Sequence, residues 1–347
     1  MKKVLVTGSE GYIGSVLVPM LIEAGYEVTG YDVNYYADGN LNNAELPQYE
    51  LVKKDIREIE LADLKDKNFC GIIHLAALSN DPLGMLDSDL TFEINHRASV
   101  SLAKLAKQAG IRRFVYASSC SLYGQGGTKA LTEESESNPQ TAYGKSKILS
   151  ENDIAQLADD NFCPVYMRNA TAFGLSPRMR FDLVVNSLCG FAQVDNEIKI
   201  LGDGTPWRPL VHIRDISGVA IRLLEVDENL IRNEAFNVGD NLENYQIKQI
   251  AEIVKEFYKD CEISIAQKDA GDTRDYNVSF DKLNKVLDYK VQWPLKRGIE
   301  EIVNTFSNIN LNKQTFEDKK YTRLKKIQYL LDNKKIDNKL RVQGELR

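Results

Sequence analysis

Tyr143 and Lys147 stand four residues apart in Tyr143-Gly144-Lys145-Ser146-Lys147, so on a helix they share one face. A free tyrosine titrates near ~10 and is a poor base at neutral pH. A neighbouring ammonium favours the phenolate and lowers that value. The phenolate can then take a proton from a substrate hydroxyl. Upstream, Tyr116-Ala117-Ser118-Ser119-Cys120-Ser121-Leu122-Tyr123-Gly124 reads as a strand running into a polar turn. Open parallel sheets bind ligands at the carboxyl ends of their strands, so a serine hydroxyl there is placed to hold the reacting oxygen.

A second constellation lies at the start of the chain. Thr7-Gly8-Ser9-Glu10-Gly11-Tyr12-Ile13-Gly14 falls between an apolar strand and a helix. Its glycines let the turn close and let backbone N–H groups approach a pyrophosphate at a helix N-terminus. The spacing is G-x-x-G-x-x-G, not the more general G-x-G-x-x-G. Asp32 follows Gly14 by 18 residues at the end of the next strand, where a carboxylate binds a ribose 2′-hydroxyl and repels a 2′-phosphate. NAD is therefore expected, rather than NADP. Asp55-Ile56, after a third apolar stretch, is a candidate to meet the adenine. An oxidised nicotinamide next to Tyr143 would also favour its phenolate, so proton and hydride could leave the same carbon.

These residues need a scaffold, and the apolar pattern supplies one. Strands at 3–7, 27–31, 71–75, 113–117 and 165–167 alternate with helices at 14–24, 90–108 and 140–159. Such alternation predicts an α/β fold with a parallel sheet covered on both faces, doubly wound in the Rossmann manner. After residue 170 the pattern turns irregular and rich in Gly, Pro and Arg, which predicts a smaller C-terminal α+β substrate lobe. A helix at 215–224 and a strand at 235–238 return to the sheet. The expected division is a dinucleotide-binding domain over 1–168, rejoined by 215–240, a substrate lobe from 169–214 and 241–310, and a tail over 311–347.

The 347 residues, 43% hydrophobic and 27% charged, describe an ordinary globular chain of roughly two domains. Five scattered cysteines without a C-x-x-C pair argue against a disulfide framework or a zinc ribbon and for a reducing compartment. Three histidines and no H-E-x-x-H argue against a metalloprotease, and no metal is expected. The apolar stretch after Lys3 stops after three residues, too short for a signal peptide. No run reaches the ~18–20 residues of a membrane span. The cytoplasm is the expected compartment. The net charge of −6 is uneven, with 11 Lys/Arg against 5 Asp/Glu in 311–347 and 33 against 45 in 1–310. Tyr321, Leu324, Ile327 and Leu331 recur at helical spacing in that basic tail, which predicts an amphipathic helix packed on the body or on a second subunit rather than a nucleic-acid arm.

Taken together, the glycine loop, Asp32, Asp55-Ile56, His74-Leu75-Ala76-Ala77, Asn95, the 118–124 run and the Tyr143/Lys147 pair resemble an extended short-chain dehydrogenase/reductase. The likeness is to the NAD-dependent nucleotide-sugar epimerase/dehydratase family. It extends over roughly residues 1–305, through Gly202 to His212, Asp215, Phe236-Asn237-Val238-Gly239 and Gly271-Asp272-Thr273-Arg274. The resemblance implies catalytic roles for Ser119, Tyr143 and Lys147. It implies cofactor contacts from Gly8, Gly11, Tyr12, Ile13, Gly14, Asp32, Asp55, Ile56, Leu75, Ala76, Ala77 and Asn95, and from Tyr143 and Lys147 themselves. It implies substrate contacts from Ser119, Ser121, Thr171, Arg178, Arg180, Arg208 and Arg274. Arg208 and Arg274 would grip a diphosphate, for which guanidinium forks are suited. A homodimer through the helices at 90–108 and 140–159 is also implied.

Two departures matter. Cys120 and Ser121 stand where the family's 4,6-dehydratases carry an Asp-Glu pair, and a thiol and a hydroxyl cannot do the work of two carboxyls. Thr171 stands where the family often has an Asn on the substrate. The expected activity is NAD-dependent oxidation at C4 of a nucleoside-diphosphate sugar. A 4-dehydrogenase, of a GDP-linked heptose in surface-polysaccharide biosynthesis, is set against a 4-epimerase as the alternative. Asp32 opposes an NADPH reductase, and the intact Ser119, Tyr143 and Lys147 oppose a non-catalytic scaffold.

Overall fold

The computed structural model describes residues 1–79, 84, 87–124, 130–266 and 275–344. Its first six strands are β1 (Lys2–Thr7), β2 (Tyr26–Asp32), β3 (Glu50–Lys53), β4 (Phe69–His74), β5 (Arg113–Ser119) and β6 (Cys163–Asn169). The chain then forms β7 (Thr171–Phe173), β8 (Glu197–Leu201) and β9 (Trp207–His212), followed by β10 (Glu234–Val238), β11 (Asn244–Gln246) and β12 (Glu262–Ala266). Seven of these make one sheet in the order β10-β6-β5-β4-β1-β2-β3, parallel throughout. The order reverses between β1 and β4, and that switch point is where open α/β sheets hold their ligands.

Side chains alternate across the sheet with the period of two that a strand imposes. Val4, Val6, Ile73 and Val115 face one layer, where they meet Leu17 and Leu21 of helix α1 (Gly14–Glu23). Leu5, Ile72, Phe114 and Tyr116 face the other. There they pack against Leu102 and Ala106 of α2 (Ala98–Gln108) and Ile154 of α3 (Ala142–Ala155). A third apolar cluster lies beyond the sheet. It joins β7, β8 and β9 to α4 (Val184–Asp195) through Phe173, Leu188, Ile198 and Leu210. Helix α5 (Ile213–Glu225) returns to the main sheet with Ile216, Val219 and Leu223, alongside Phe236 and Val238 of β10. Helices α6 (Ile247–Phe257) and α7 (Leu295–Asn308) close the third cluster with Ile250, Ile299 and Phe306.

The tail forms helix α8 (Arg323–Asp332) and packs on the body of the same chain. Ile327 and Leu330 are buried in the layer of α2 and α3, with Leu324 and Leu331 against it, while Tyr321 joins the third cluster. No helix among the described residues is long and apolar enough to cross a membrane.

Two elements differ from the sequence pattern. The stretch expected as one helix over 90–108 contains a π-helical turn, Phe92–Arg97, ahead of α2. Such wide turns are frequent at functional sites, and this one carries Asn95. The edge strand β3, Glu-Leu-Val-Lys, is half exposed and too short and polar to announce itself.

Candidate active site

Helix α3 is fixed to the sheet by one polar face. Its first turn is capped by Thr141, whose Oγ1 accepts from Gly144 N at 3.1 Å. A side chain on Gly144 would sit 3.2 Å from the Ser121 carbonyl oxygen, so its absence lets the turn bearing Tyr143 press on the turn after Ser119. One helical turn further, Lys147 Nζ donates to the Ala117 carbonyl at 2.6 Å. It lies 5.7 Å from the Tyr143 ring centre and 4.8 Å from that of Tyr116. Burial pulls the Lys147 ammonium down to about 7. A further turn along, Glu151 pairs bidentately with Arg168 of β6, at 2.7 Å for the shortest contact, and accepts from Ser118. Positions i, i+4 and i+8 thus walk down the ends of two neighbouring strands.

Ser119 is the last residue of β5 and pairs with Asn169, the last of β6. Its Oγ accepts from Ser121 N at 3.2 Å. Cys120 is fully buried, donates to the Arg168 carbonyl at 3.0 Å, and burial pushes its thiol far up. Ser121 Oγ and Asn169 Oδ1 are buried without a hydrogen-bond partner. Asn169 was not singled out by the sequence. Its register opposite Ser119 is the signal, and that register appears only once both strands are seen to run to their full length.

The glycine loop lies at the switch point. Gly8 adopts φ of +75°, and a side chain on it would sit 2.8 Å from Ala76 N, so the turn after β4, Leu75-Ala76-Ala77, packs directly on it. A side chain on Gly14 would sit 2.2 Å from the Gly8 carbonyl oxygen and one on Gly11 3.1 Å from it. The loop is therefore closed to side chains and presents backbone, as a pyrophosphate requires. Tyr12 directs its hydroxyl away, to the Gly174 carbonyl at 2.7 Å, and Ile13 packs against the apolar clusters. His74 joins β1 to α2 through Thr7 and Ser99. Burial pulls the imidazole down to about 3. A neutral ring donating from Nε2 satisfies this chain, since Ser99 Oγ itself donates onward to the Asn95 carbonyl.

Asp32 ends β2 with its carboxylate accepting from Asn34 N at 2.7 Å and Glu10 N at 3.0 Å. Burial nevertheless raises it to about 6, so it is charged at neutral pH and ready to accept from a ribose. The bare glycine cradle and this carboxylate together fit the adenosine ribose and pyrophosphate of NAD.

Other expected contact residues have partners within the protein. Asn95 ties the loop after β4 to α3, bonding Leu78 N and O at 2.8 and 3.1 Å and Ser146 Oγ at 3.3 Å. Both Asp55 oxygens accept from Arg57, and Arg341 lies at 3.4 Å, while Ile56 is buried in the core. Arg178 was expected on the substrate. Instead it is buried on the glycine-loop side, where its fork bonds Glu10 and the carbonyls of Ala37 and Gly39. Arg180 is held bidentately by Asp182 and reaches Ser79 Oγ at 3.2 Å. Arg208 is buried on β9 and donates to the Trp207 carbonyl at 2.8 Å. Thr171 is half-buried on β7 opposite Leu210. Arg274 lies outside the described residues; Asp275, next to it in sequence, accepts from Trp207 N at 2.8 Å.

Comparison with known proteins agrees with this geometry. Residues 4–239 match the model of the family described as NAD dependent epimerase/dehydratase. The chain belongs to that family. It is an NAD-dependent enzyme of the extended short-chain dehydrogenase type, and its cofactor is NAD. The UDP-glucose 4-epimerase of Mycolicibacterium smegmatis is 28% identical over 313 residues, covering 88% of this chain and 99% of the relative. The UDP-glucose 4-epimerase of Corynebacterium glutamicum is 25% identical over 320 residues, covering 88% and 96%. The solved structure of MoeE5 in complex with UDP-glucuronic acid and NAD has a TM-score of 0.76 and 25% identity, covering 88% of this chain and 99% of that one.

Proposed function

We propose that this member of the family oxidises C4 of a nucleoside-diphosphate sugar, with Tyr143, Ser119 and Lys147 as the catalytic side chains. What carries the reading is the buried Lys147 ammonium, bonded to Ala117 of the strand that ends in Ser119 and 5.7 Å from the Tyr143 ring. NAD, when bound, supplies the acceptor for the C4 hydride. Tyr143 takes the C4 hydroxyl proton, and Lys147, which burial leaves about half protonated at neutral pH, stabilises the phenolate when in its ammonium form. Ser119 holds the sugar oxygen, with the unpartnered Ser121 hydroxyl and Asn169 Oδ1 as further partners for the sugar. Arg180, Arg208, Thr171 and Arg274 are proposed for the rest of the substrate, and binding of its nucleotide half keeps C4 in place. The substrate lobe is proposed as 169–214 with 241–310, against a dinucleotide domain of 1–168 with 215–240.

Cys120 and Ser121 favour simple oxidation over elimination of water. The buried, bonded thiol has neither the carboxyl chemistry nor the freedom to protonate a leaving hydroxyl. Release of the ketone, as from a GDP-linked heptose in surface-polysaccharide synthesis, makes a 4-dehydrogenase. Return of the hydride to the other face makes a 4-epimerase, a reading favoured by the curated relatives above. Mass spectrometry of products from UDP-, GDP- and dTDP-sugars separates them. Loss of two hydrogens marks the dehydrogenase, unchanged mass with altered stereochemistry the epimerase, and loss of water would contradict both. A cytoplasmic homodimer is part of the proposal, with exposed Leu149 of α3 on the joining face. Sedimentation as a monomer would remove the dimer.

A further inference from the structure

The C-terminal segment lies outside the family match at 4–239, yet it is built into the end of the sheet where Asp32 sits. Tyr35 donates to the Leu340 carbonyl, Arg57 to the Lys339 carbonyl at 2.9 Å, and Lys326 pairs with Asp38 at 2.7 Å. Arg341 pairs with Glu58 at 2.6 Å. These partners come from the segments that follow β2 and β3. They flank the end of the cleft assigned above to the adenosine half of the cofactor.

Lys326 and Arg341 are thus neutralised by named carboxylates, whereas Arg323 is not. It is 2% exposed, with its guanidinium carbon 3.9 Å above the Tyr36 ring. Nη2 donates to the Arg178 carbonyl at 3.0 Å, while Nη1 is buried with no hydrogen-bond partner. Among the described residues no carboxylate lies within ion-pair distance of it. The nearby acids are already engaged, Asp182 by Arg180 and Asp32 by two backbone N–H groups. Burial lowers the guanidinium to about 10, which still leaves it charged at neutral pH. A buried cation with an unmade hydrogen bond is costly, and a guanidinium fixed on one edge offers the other to a phosphate oxygen.

We propose that Arg323 binds a phosphate oxygen of the dinucleotide through Nη1, making the C-terminal segment part of the cofactor site. The inference rests on the glycine loop and Asp32 holding NAD. The carboxylate at the end of β2 takes the adenosine ribose, and the pyrophosphate follows at the glycine loop. Arg323 is close enough to Asp32 and to Tyr12 of that loop for its charge to act on both. The ligand chemistry is therefore a diphosphate joined to adenosine, not a sugar hydroxyl.

The test uses the full chain freed of nucleotide. Calorimetry follows NAD and ADP-ribose, and ligand-observed resonance follows adenosine, which has no phosphate. Arg323→Gln is expected to weaken NAD and ADP-ribose by about ten- to a hundredfold, the span of a charge-assisted hydrogen bond, and to leave adenosine unchanged. Lys326→Met, which unpins the same helix without touching the fork, is expected to lower Tm and keep NAD affinity within about twofold. If Arg323→Gln does not fold, Arg323→Lys replaces it, with a loss of about tenfold for NAD and none for adenosine expected. NAD affinity unchanged in the Arg323 variant, an equal loss for adenosine, or an equal loss in Lys326→Met would each overturn the proposal. Absence of NAD binding by the unmutated chain would instead bring down the cofactor assignment on which it rests.

Discussion

The two ends of the cofactor cleft are built in opposite ways. At the end proposed for the sugar, Tyr143, Lys147 and Glu151 follow one another on a single helix and meet the ends of β5 and β6. The chemistry there is local, with one helical period setting the whole row. At the adenosine end, Glu10, Asp38 and Glu58 of the first sixty residues meet cations from far along the chain. Arg178 reaches Glu10 across 168 positions, and Lys326 reaches Asp38 across 288. One end is a motif; the other is an assembly that exists only when the chain is folded. A substitution at the first should therefore remove chemistry and spare the fold, and one that breaks a long-range pair at the second should cost stability and cofactor affinity together.

Tyr143→Phe gives the largest expected effect. Loss of the proposed base should lower turnover by about 10²- to 10⁴-fold, while NAD affinity and the urea midpoint stay near those of the unmutated protein. A large fall in midpoint would erase the contrast. Arg178→Met is its counterpart. Glu10 would be left buried beside the glycine loop without its cation, at a cost of about 3–5 kcal/mol in urea unfolding, with NAD affinity falling too. A destabilisation below about 1 kcal/mol would show that the adenosine end is not braced as described.

A pH titration probes the same end more gently. Asp32 titrates near 6 in the folded chain against 3.8 normally, so without cofactor the folded state holds an extra proton between those values. By linkage this group favours folding at low pH and loses that contribution as pH rises through 6. A ribose accepted by the carboxylate prefers the charged form. NAD affinity is thus expected to rise about tenfold per pH unit up to 6 and level off above it, measured by calorimetry from pH 5 to 8. Asp32→Asn should weaken binding and flatten the profile; an unaltered slope would assign the titration to another group. The smallest effect belongs to Arg341→Gln at the rim. Its pairs with Glu58 and Asp55 are part-exposed, and the expected loss is at most about 1 kcal/mol.

What the sequence made legible divides along the same line. The parallel sheet, the glycine loop and the Tyr143/Lys147 spacing rest on short periods of two, three and four residues, and they stand in the folded chain as the pattern predicts. Ser119 reads as part of a turn until β5 is seen to run on through it, a matter of two residues of strand. Arg178 looked like a substrate ligand because a buried Glu10 on the other side of the chain leaves no trace in local pattern. The tail's apolar spacing did announce a packed helix. Which of its cations would find a carboxylate, and which would not, depends on Asp38, Glu58 and Tyr36, brought there by β2 and β3.

A substrate carrying deuterium at C4 puts the proposed chemistry to its most direct test. Mixed with the NAD-loaded enzyme in a single turnover, a nucleoside-diphosphate sugar of the right class should transfer the label to the nicotinamide. The ultraviolet band of the reduced cofactor should appear with it, slowed by the isotope and absent in Tyr143→Phe. Label retained at C4 across UDP-, GDP- and dTDP-sugars, or transfer undiminished in Tyr143→Phe, would contradict the assignment of these side chains to oxidation at that carbon.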